Sequence, residues 1–186
     1  MPVPIRRLPF RVKPLPDEPF SSWFEYMAYA YDVTGTEMAV ALGLDGGDHQ
    51  INIGRWSTEQ WATELTDAQV ASLEQATGLE ADEFHAMTRA RFWEEGIRRG
   101  RSGGISTASP TAGLGGRYCP ECLDDTDGRW RMSWQLPLGF CCLRHQRILV
   151  DTCPQCCLPP RRQPHPRTLT PIPGTCHNRA PGQAGY

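Results

Sequence analysis

The sequence predicts two kinds of structure in one chain: a mainly α-helical N-terminal domain of the helix-turn-helix type and a small β-rich region after it. Three observations support this prediction. Apolar residues recur with helical spacing in the first half, and one cysteine spacing occurs twice in the last third. A polar stretch rich in glycine and serine separates the two. We therefore divide the chain into a helical domain, a flexible linker and two cysteine-containing repeats, at 1–99, 100–116, 117–150 and 151–186.

The first predicted helix carries an apolar stripe along one face. Its members recur at intervals of three and four residues: Phe20, Trp23, Phe24, Met27, Ala28 and Tyr31. This is the period of an amphipathic helix, so we expect the stripe to face the core. A second, shorter helix is expected to have Thr36 as its N-terminal cap and to run to Leu42, before Gly43.

A pair of helices is predicted between Thr66 and about Trp93. Thr66 and Gln69 form the T-x-x-Q pattern of a capping box, and Gly78 is a typical C-terminal stop. Another helix begins within three residues of this glycine. The apolar positions that we expect to be buried across the pair are Val70, Leu73, Leu79, Phe84 and Met87. Two helices joined by so short a turn have the dimensions of a helix-turn-helix.

The second helix of this pair opens with three acidic residues, Glu80, Asp82 and Glu83. Acidic side chains at the start of a helix placed in the major groove would repel the phosphates of DNA. We therefore interpret this helix as a surface for binding protein, and we keep major-groove reading as the alternative.

One set of ligand-type residues occurs twice in the last third of the chain. In the first copy, 19 residues separate a CxxC from a CxxH, and the ligands are Cys119, Cys122, Cys142 and His145. The second copy starts 34 positions later with the same internal spacing, at Cys153, Cys156 and Cys176. Arg179 stands at its fourth position. We include His177 as a candidate ligand, although its adjacency to a cysteine ligand makes joint chelation awkward.

This repeated spacing is typical of zinc ribbons, in which two ligand pairs hold one tetrahedral ion. Three thiolates and an imidazole leave no coordination position open, so the sequence predicts a structural zinc and no catalysis. A disulfide framework would need an oxidising compartment, whereas Met1–Lys13 lacks the apolar region of a secretion signal. A zinc deaminase would need an HxE motif, and the sequence contains none. We expect tandem zinc ribbons, the second without an evident fourth ligand.

Charge is distributed unevenly along the chain. Residues 1–100 carry 9 basic and 16 acidic side chains, a net −7, whereas residues 101–186 carry 10 basic and 5 acidic side chains, a net +5. The two halves are therefore expected to face different partners. No segment approaches the roughly 18 apolar residues of a membrane span, so we expect no membrane contact and a cytoplasmic location.

Four arginines of the first repeat are candidates for contact with nucleic acid: Arg129, Arg131, Arg144 and Arg147. Trp130 and Trp134 are interleaved with them, and basic residues mixed with aromatic ones can follow a nucleic-acid backbone. The tryptophans fit the core of a ribbon better. The arginines are therefore the better candidates for phosphate contact.

A series of motifs runs along the chain between about residues 15 and 178. They are PFSSWFEYMAYA at 19–30, ATGL at 76–79, RYCPECL at 117–123, WxxxW at 130–134, CxxHxxxL at 142–149 and CPxC at 153–156. In combination these motifs are far more specific than any one of them. The chain resembles the TniQ family of bacterial transposition proteins.

The resemblance implies an N-terminal helix-turn-helix region, a zinc-ribbon region and a role in choosing the DNA target. Such proteins connect target DNA or a recognition complex to an AAA+ ATPase that recruits the transposase. In CRISPR-associated transposons the recognition complex is RNA-guided. We therefore expect a non-enzymatic adaptor that binds an ATPase through its acidic half and DNA or RNA through its basic half. The alternative is a stand-alone zinc-ribbon DNA-binding regulator unconnected to transposition.

Overall fold

The computed structural model places a group of helices before a small region with short β-hairpins. The described residues are 6–44, 60–92, 98–99, 105–106, 116–136, 139–160, 169–176 and 178. The helices are α1 (Phe20–Ala30), α2 (Gly35–Ala41), α3 (Asp67–Thr77), α4 (Ala81–Ala86) and α5 (Pro120–Asp125), with a helical turn at 60–63. The antiparallel strand pairs are β1 (Arg98–Arg99) with β2 (Ile105–Ser106), and β3 (Cys141–Cys142) with β4 (Arg147–Ile148). The predicted fold class is confirmed.

The apolar stripe of α1 forms the centre of the helical core. All members of the stripe are buried except Tyr31, which is half-buried and stacks on Phe10 with the ring centroids 4.0 Å apart. The Trp23 ring meets the edge of Phe84 in α4 at 5.8 Å between centroids. Because each large buried side chain contributes about 1.5–3 kcal/mol, this stripe makes a substantial contribution to the stability of the helical part.

The cap of α2 differs from the prediction. Thr34, not Thr36, precedes the helix: its hydroxyl accepts the Glu37 backbone N–H at 3.2 Å, and the Glu37 carboxylate accepts the Thr34 N–H at 2.8 Å. A capping box needs Glu or Gln three residues after the cap. Thr36 has Ala39 at that position, and alanine has no group that could reciprocate.

The turn between α3 and α4 follows the prediction. Thr66 and Gln69 form the capping box, with backbone-to-side-chain distances of 3.0 and 3.3 Å. Gly78 ends α3 with a φ of 67°, a left-handed conformation that glycine adopts without a steric penalty. The helix pair predicted over 66–93 therefore has its expected start and turn.

The second helix of the pair is shorter than expected. α4 ends at Ala86, and a 3₁₀ turn follows at Arg89–Phe92. The carbonyl of Met87 accepts the backbone N–H of Phe20 at 2.9 Å. At the end of α4 the backbone N–H groups of Met87 and Thr88 donate three residues back, to Phe84 and His85, which is the tighter 3₁₀ pattern and not the α-helical one.

Part of the segment predicted as a flexible linker forms a hairpin. Within 100–116, the strand β2 pairs with β1, matching Arg98 with Ser106 and Arg99 with Ile105. Most of the other residues of that segment lie outside the described ranges. The four-part division of the chain stays a prediction.

The helical part and the ribbon part meet at a buried ion pair. Arg129, in the ribbon part, donates from Nε to Glu18 Oε1 at 2.8 Å and pairs through Nη2 with the other carboxylate oxygen. Glu18 is 1% exposed and Arg129 is 7% exposed. Ser22 of α1 donates to the same carboxylate at 2.8 Å and accepts the backbone N–H of Trp130 at 2.8 Å. These bonds fix the first ribbon against α1.

Candidate metal centre

Four predicted ligands converge in the first ribbon. The ligand atoms of Cys119, Cys122, Cys142 and His145 all lie within 4.8 Å of one another. Nδ1 of His145 is 3.4, 3.3 and 3.5 Å from the three sulfur atoms, in chain order. The sulfurs of Cys122 and Cys142 are 3.5 Å apart. The three thiols are buried, and the imidazole is half-buried.

These distances fit one tetrahedral ion. With metal–sulfur bonds of about 2.3 Å and metal–nitrogen bonds of about 2.0 Å, the edges of a tetrahedron are about 3.8 Å between sulfurs and about 3.5 Å between sulfur and nitrogen. The observed separations of 3.3–3.5 Å are close to these edges. The cluster can therefore hold a metal ion, and a set of three sulfurs and one imidazole is compatible with zinc.

Two short elements bring these ligands together. Cys119 directly precedes α5, and Cys122 lies in its first turn. Cys142 ends β3, and His145 lies in the turn before β4. The backbone N–H of His145 donates to the Cys142 sulfur at 3.4 Å, which tightens this turn. The hairpin thus returns the second ligand pair to the first.

The three thiols of the first cluster differ in acidity. Burial raises the pKa of Cys119 to about 12, and it also raises the pKa of Cys122. Burial acts on Cys142 in the same direction. The backbone N–H of His145 and the neighbouring thiols outweigh it by donating to the Cys142 sulfur, and its pKa falls to about 6. Because a metal binds thiolates, the cluster must release protons when it takes up an ion.

A carboxylate outside the ligand set touches the histidine. Oδ2 of Asp125 lies 3.3 Å from Nε2 of His145 and 2.9 Å from the guanidinium of Arg144. The sequence prediction missed Asp125. Its position three residues after Cys122, on the same face of a helix, is the signal that could have found it.

A second carboxylate lies beside the first thiol. Glu121 accepts from Cys119 at 3.2 Å and pairs with Arg147. Its own backbone N–H, the Cys119 thiol and the arginine all favour the charged form, so the pKa of Glu121 is lowered. This residue was also missed by the sequence prediction.

The tryptophans of the first ribbon are structural. Trp130 and Trp134 are each 4% exposed, and their rings meet edge to face at 5.9 Å between centroids. They pack with the buried cysteines and Leu149 in one apolar cluster. The preferred interpretation, that these rings fill the core of the ribbon, is confirmed.

The second cluster contains three of its predicted ligands. Cys153, Cys156 and Cys176 place their sulfurs within 4.8 Å of one another, with 3.8 Å between the last two. The side-chain amide of Asn178 donates to Cys156 at 3.4 Å, which lowers the pKa of that thiol. The candidate ligand His177 lies outside the described residues. Three sulfurs can contribute to a metal site here as well.

The four candidate arginines have different surroundings. Arg129 is engaged with Glu18 in the buried pair, so its guanidinium faces the interior. Arg144 and Arg147 have side chains that are 59% and 38% exposed, and each pairs with a carboxylate. Arg131 is half-buried, just before the 3₁₀ turn Met132–Gln135.

The acidic residues of α4 lie at the start of the helix. Glu80 and Asp82 are exposed, and Glu83 is half-buried. The Glu83 carboxylate accepts the backbone N–H of Glu80 at 2.9 Å, so this side chain also caps the helix. Glu80 and Asp82 are the more accessible charges.

Comparison with known proteins identifies one family. The family model described as TniQ matches residues 9–149, which include the helical part, the buried ion pair and the first cluster. A comparison with curated proteins finds no match. Among the described residues, no helix combines the length and apolar character that crossing a membrane requires.

Proposed function

The chain belongs to the TniQ family, and from that membership we propose that this transposition-associated protein is a non-enzymatic adaptor. It links a target, recognised as DNA or through an RNA-guided complex, to an AAA+ ATPase that recruits the transposase. The family match carries this proposal, because it spans the helical part and the first ribbon together. The adaptor acts in the cytoplasm.

The metal in both clusters is zinc, and its role is structural. In the first cluster, Cys119, Cys122, Cys142 and His145 complete a closed shell that leaves no position for a substrate. A structural zinc stabilises a small fold by on the order of 10 kcal/mol. The second cluster binds zinc through Cys153, Cys156 and Cys176, with His177 as the candidate fourth ligand.

The ATPase binds the acidic face at the start of α4. Glu80 and Asp82 are exposed there, within the half of the chain that carries the net charge of −7. Negative side chains on a protein surface speed encounter with a basic partner and orient it. The same charges oppose the approach of DNA.

Nucleic acid binds the basic half, through Arg131, Arg144 and Arg147. The net charge of +5 over 101–186 supports this assignment. Contacts to phosphates give binding that tolerates any sequence and weakens steeply with salt. Pairing of two of the arginines with carboxylates makes this binding weak, because part of their charge is already neutralised.

Charge reversal on α4 tests the adaptor role. Asp82→Lys, alone and combined with Glu80→Lys, is expected to weaken binding to the ATPase of the same transposon, by about tenfold for the double variant. The measurement is co-sedimentation with ATPase filaments assembled on DNA. Glu83 is left unchanged because it caps the helix.

Asp67→Lys is the matched control. Asp67 is an exposed acid in the first turn of α3, as Asp82 is in α4. Both substitutions remove the same kind of favourable interaction with a helix N-terminus, so only the variant in the binding face should lose affinity. Equal losses in both variants would exclude α4 as the contact. No binding by the wild type, together with tight DNA binding, would favour the stand-alone regulator.

A further inference from the structure

The His145 side chain has a partner on each of its ring nitrogens. Nδ1 faces the three sulfurs of the first cluster at 3.3–3.5 Å. Nε2 faces Oδ2 of Asp125 at 3.3 Å. A neutral imidazole carries its proton on one nitrogen and a lone pair on the other. A carboxylate can only accept, so it selects the tautomer with the proton on Nε2 and the lone pair on Nδ1.

The carboxylate is itself held in place. The guanidinium of Arg144 forms an ion pair with the same Oδ2 atom, with 2.9 Å between Nη2 and Oδ2. Asp125 lies at the C-terminal end of α5, the helix that carries the ligand Cys122 in its first turn. One helix therefore supplies a ligand and the group that orients another ligand from the opposite hairpin. Both side chains are partly shielded from solvent: the Asp125 side chain is 35% exposed and that of His145 is 22% exposed.

We propose that Asp125, oriented by Arg144, is a positioning residue of the first metal site, which fixes the His145 imidazole with Nδ1 toward the metal. This inference rests on the proposed zinc site. It also gives Arg144 a second role. Arg144 is expected to contact phosphate, and here it also orients Asp125, which in turn supports His145. Groups that hold metal-bound histidines in this way typically change metal affinity by about 10-fold to 100-fold when they are removed.

The test compares variants of the full chain in a zinc competition assay with a chromophoric chelator. Asp125→Ala is expected to weaken the first site by about 10-fold to 100-fold. Asp125→Asn keeps an oxygen that can accept from Nε2, so it should restore most of the affinity. Cys122→Ser lacks a ligand of the first site, so the difference in zinc release between this variant and the wild type gives the fraction that comes from the first site.

Asp124→Ala is the matched control, because Asp124 is an exposed acid one residue earlier on the same helix. It should leave the affinity unchanged. A second readout reports the tautomer directly: nitrogen NMR of the imidazole should show a protonated Nε2 in the wild type and in Asp125→Asn. Any imidazole bound to the metal through Nδ1 keeps its proton on Nε2, so the role of Asp125 is read from the behaviour of that proton: it should exchange with solvent more slowly in the wild type than in Asp125→Asn, because the neutral amide is a weaker acceptor. If Asp125→Ala does not fold, equal exchange rates in these two proteins overturn the positioning role.

The outcomes separate the inference from the function on which it rests. A wild-type protein without zinc overturns both. A wild type that binds zinc, with equal affinities in Asp125→Ala and Asp124→Ala, overturns only the positioning role. An Nε2 atom that is unprotonated in the zinc-bound wild type overturns it as well.

Discussion

The three cysteines of the first cluster carry the same chemical group but lie in different surroundings. Cys119 and Cys122 lie in the buried start of α5, where few donors offset the loss of water, and their pKa values rise. Cys142 is buried too, but the turn to His145 directs a backbone N–H at its sulfur. These pKa shifts predict that, in the metal-free protein near neutral pH, Cys142 is a thiolate and the other two are thiols.

This difference predicts the number of protons released on metal binding. Between pH 7 and 8 the thiols of the first site should lose two protons per zinc, from Cys119 and Cys122, since Cys142 has already ionised above its pKa of about 6. Zinc affinity should therefore fall as the pH falls, by about 100-fold per pH unit in this range, because each proton contributes a factor of ten. Below pH 6 the dependence should steepen.

Calorimetric titrations in buffers with different ionisation enthalpies count these protons. Cys122→Ser separates the first site from the second, because it removes a first-site ligand and leaves Cys153, Cys156 and Cys176 in place. Release of three thiol protons at pH 7.5 would show that Cys142 is protonated in the metal-free protein and would contradict the prediction.

At the scale of elements, the short segments of the ribbon part depend on close contacts with neighbouring segments. The segments that carry the two clusters touch at Gly128, which follows α5 and lies against Pro173–Gly174. Gly128 has a φ of 81°, and a Cβ added to it would lie 2.4 Å from the carbonyl carbon of Pro173. Both the backbone conformation and the space therefore require glycine here.

Gly128→Ala is expected to destabilise the ribbon part by about 2–3 kcal/mol. A non-glycine residue in the left-handed region costs about 1–2 kcal/mol, and overlap with the neighbouring backbone adds to this. Urea unfolding monitored by tryptophan fluorescence measures the change. Gly116→Ala is the control, because a Cβ at Gly116 would meet Trp130 at an ordinary contact distance of 3.4 Å. Equal effects of the two substitutions would show that the contact with Pro173 is not important.

At the scale of the whole molecule, the buried pair between Glu18 and Arg129 connects the helical part to the first metal site. Arg129 also donates to the Lys13 carbonyl at 2.9 Å and lies over the Tyr26 ring at 4.5 Å. Cys122, seven residues before Arg129, is one of the candidate ligands of the first cluster. We therefore expect order in the ribbon to be transmitted to α1 through these few buried groups.

Two variants test this connection. Arg129→Met should destabilise the protein by about 3–5 kcal/mol, because it leaves the Glu18 carboxylate buried without its partner. The double variant Glu18→Gln with Arg129→Met should lose much less, because no uncompensated charge remains. Unfolding is followed by circular dichroism of the helices.

Removal of zinc with a chelator tests whether the ion pair couples the ribbon to the helices. Removing zinc should lower the stability of the helices in the wild type, since the metal orders the ribbon that holds Arg129. In the double variant this effect should shrink, because the ion pair no longer joins the two parts. An equal effect of chelator on both proteins would mean that the pair does not couple them.

The sequence by itself determined the features that depend on near neighbours. The capping box at Thr66, the stop at Gly78 and the stripe of α1 are set within a few residues, so their patterns are visible in the chain. The ligand spacings also sufficed to group the cysteines, because a tetrahedral ion accepts only a few loop lengths. Family membership followed from the same motifs.

Only the tertiary structure decided the roles that depend on distant partners. Arg129 lies 111 positions from Glu18, and nothing local to either residue distinguishes a buried pair from two solvated charges. Asp125 supports His145 because α5 and the β3–β4 hairpin close on each other, which brings together side chains 20 positions apart. An ionised side chain has many possible partners in the sequence, and packing selects one by removing water from around it.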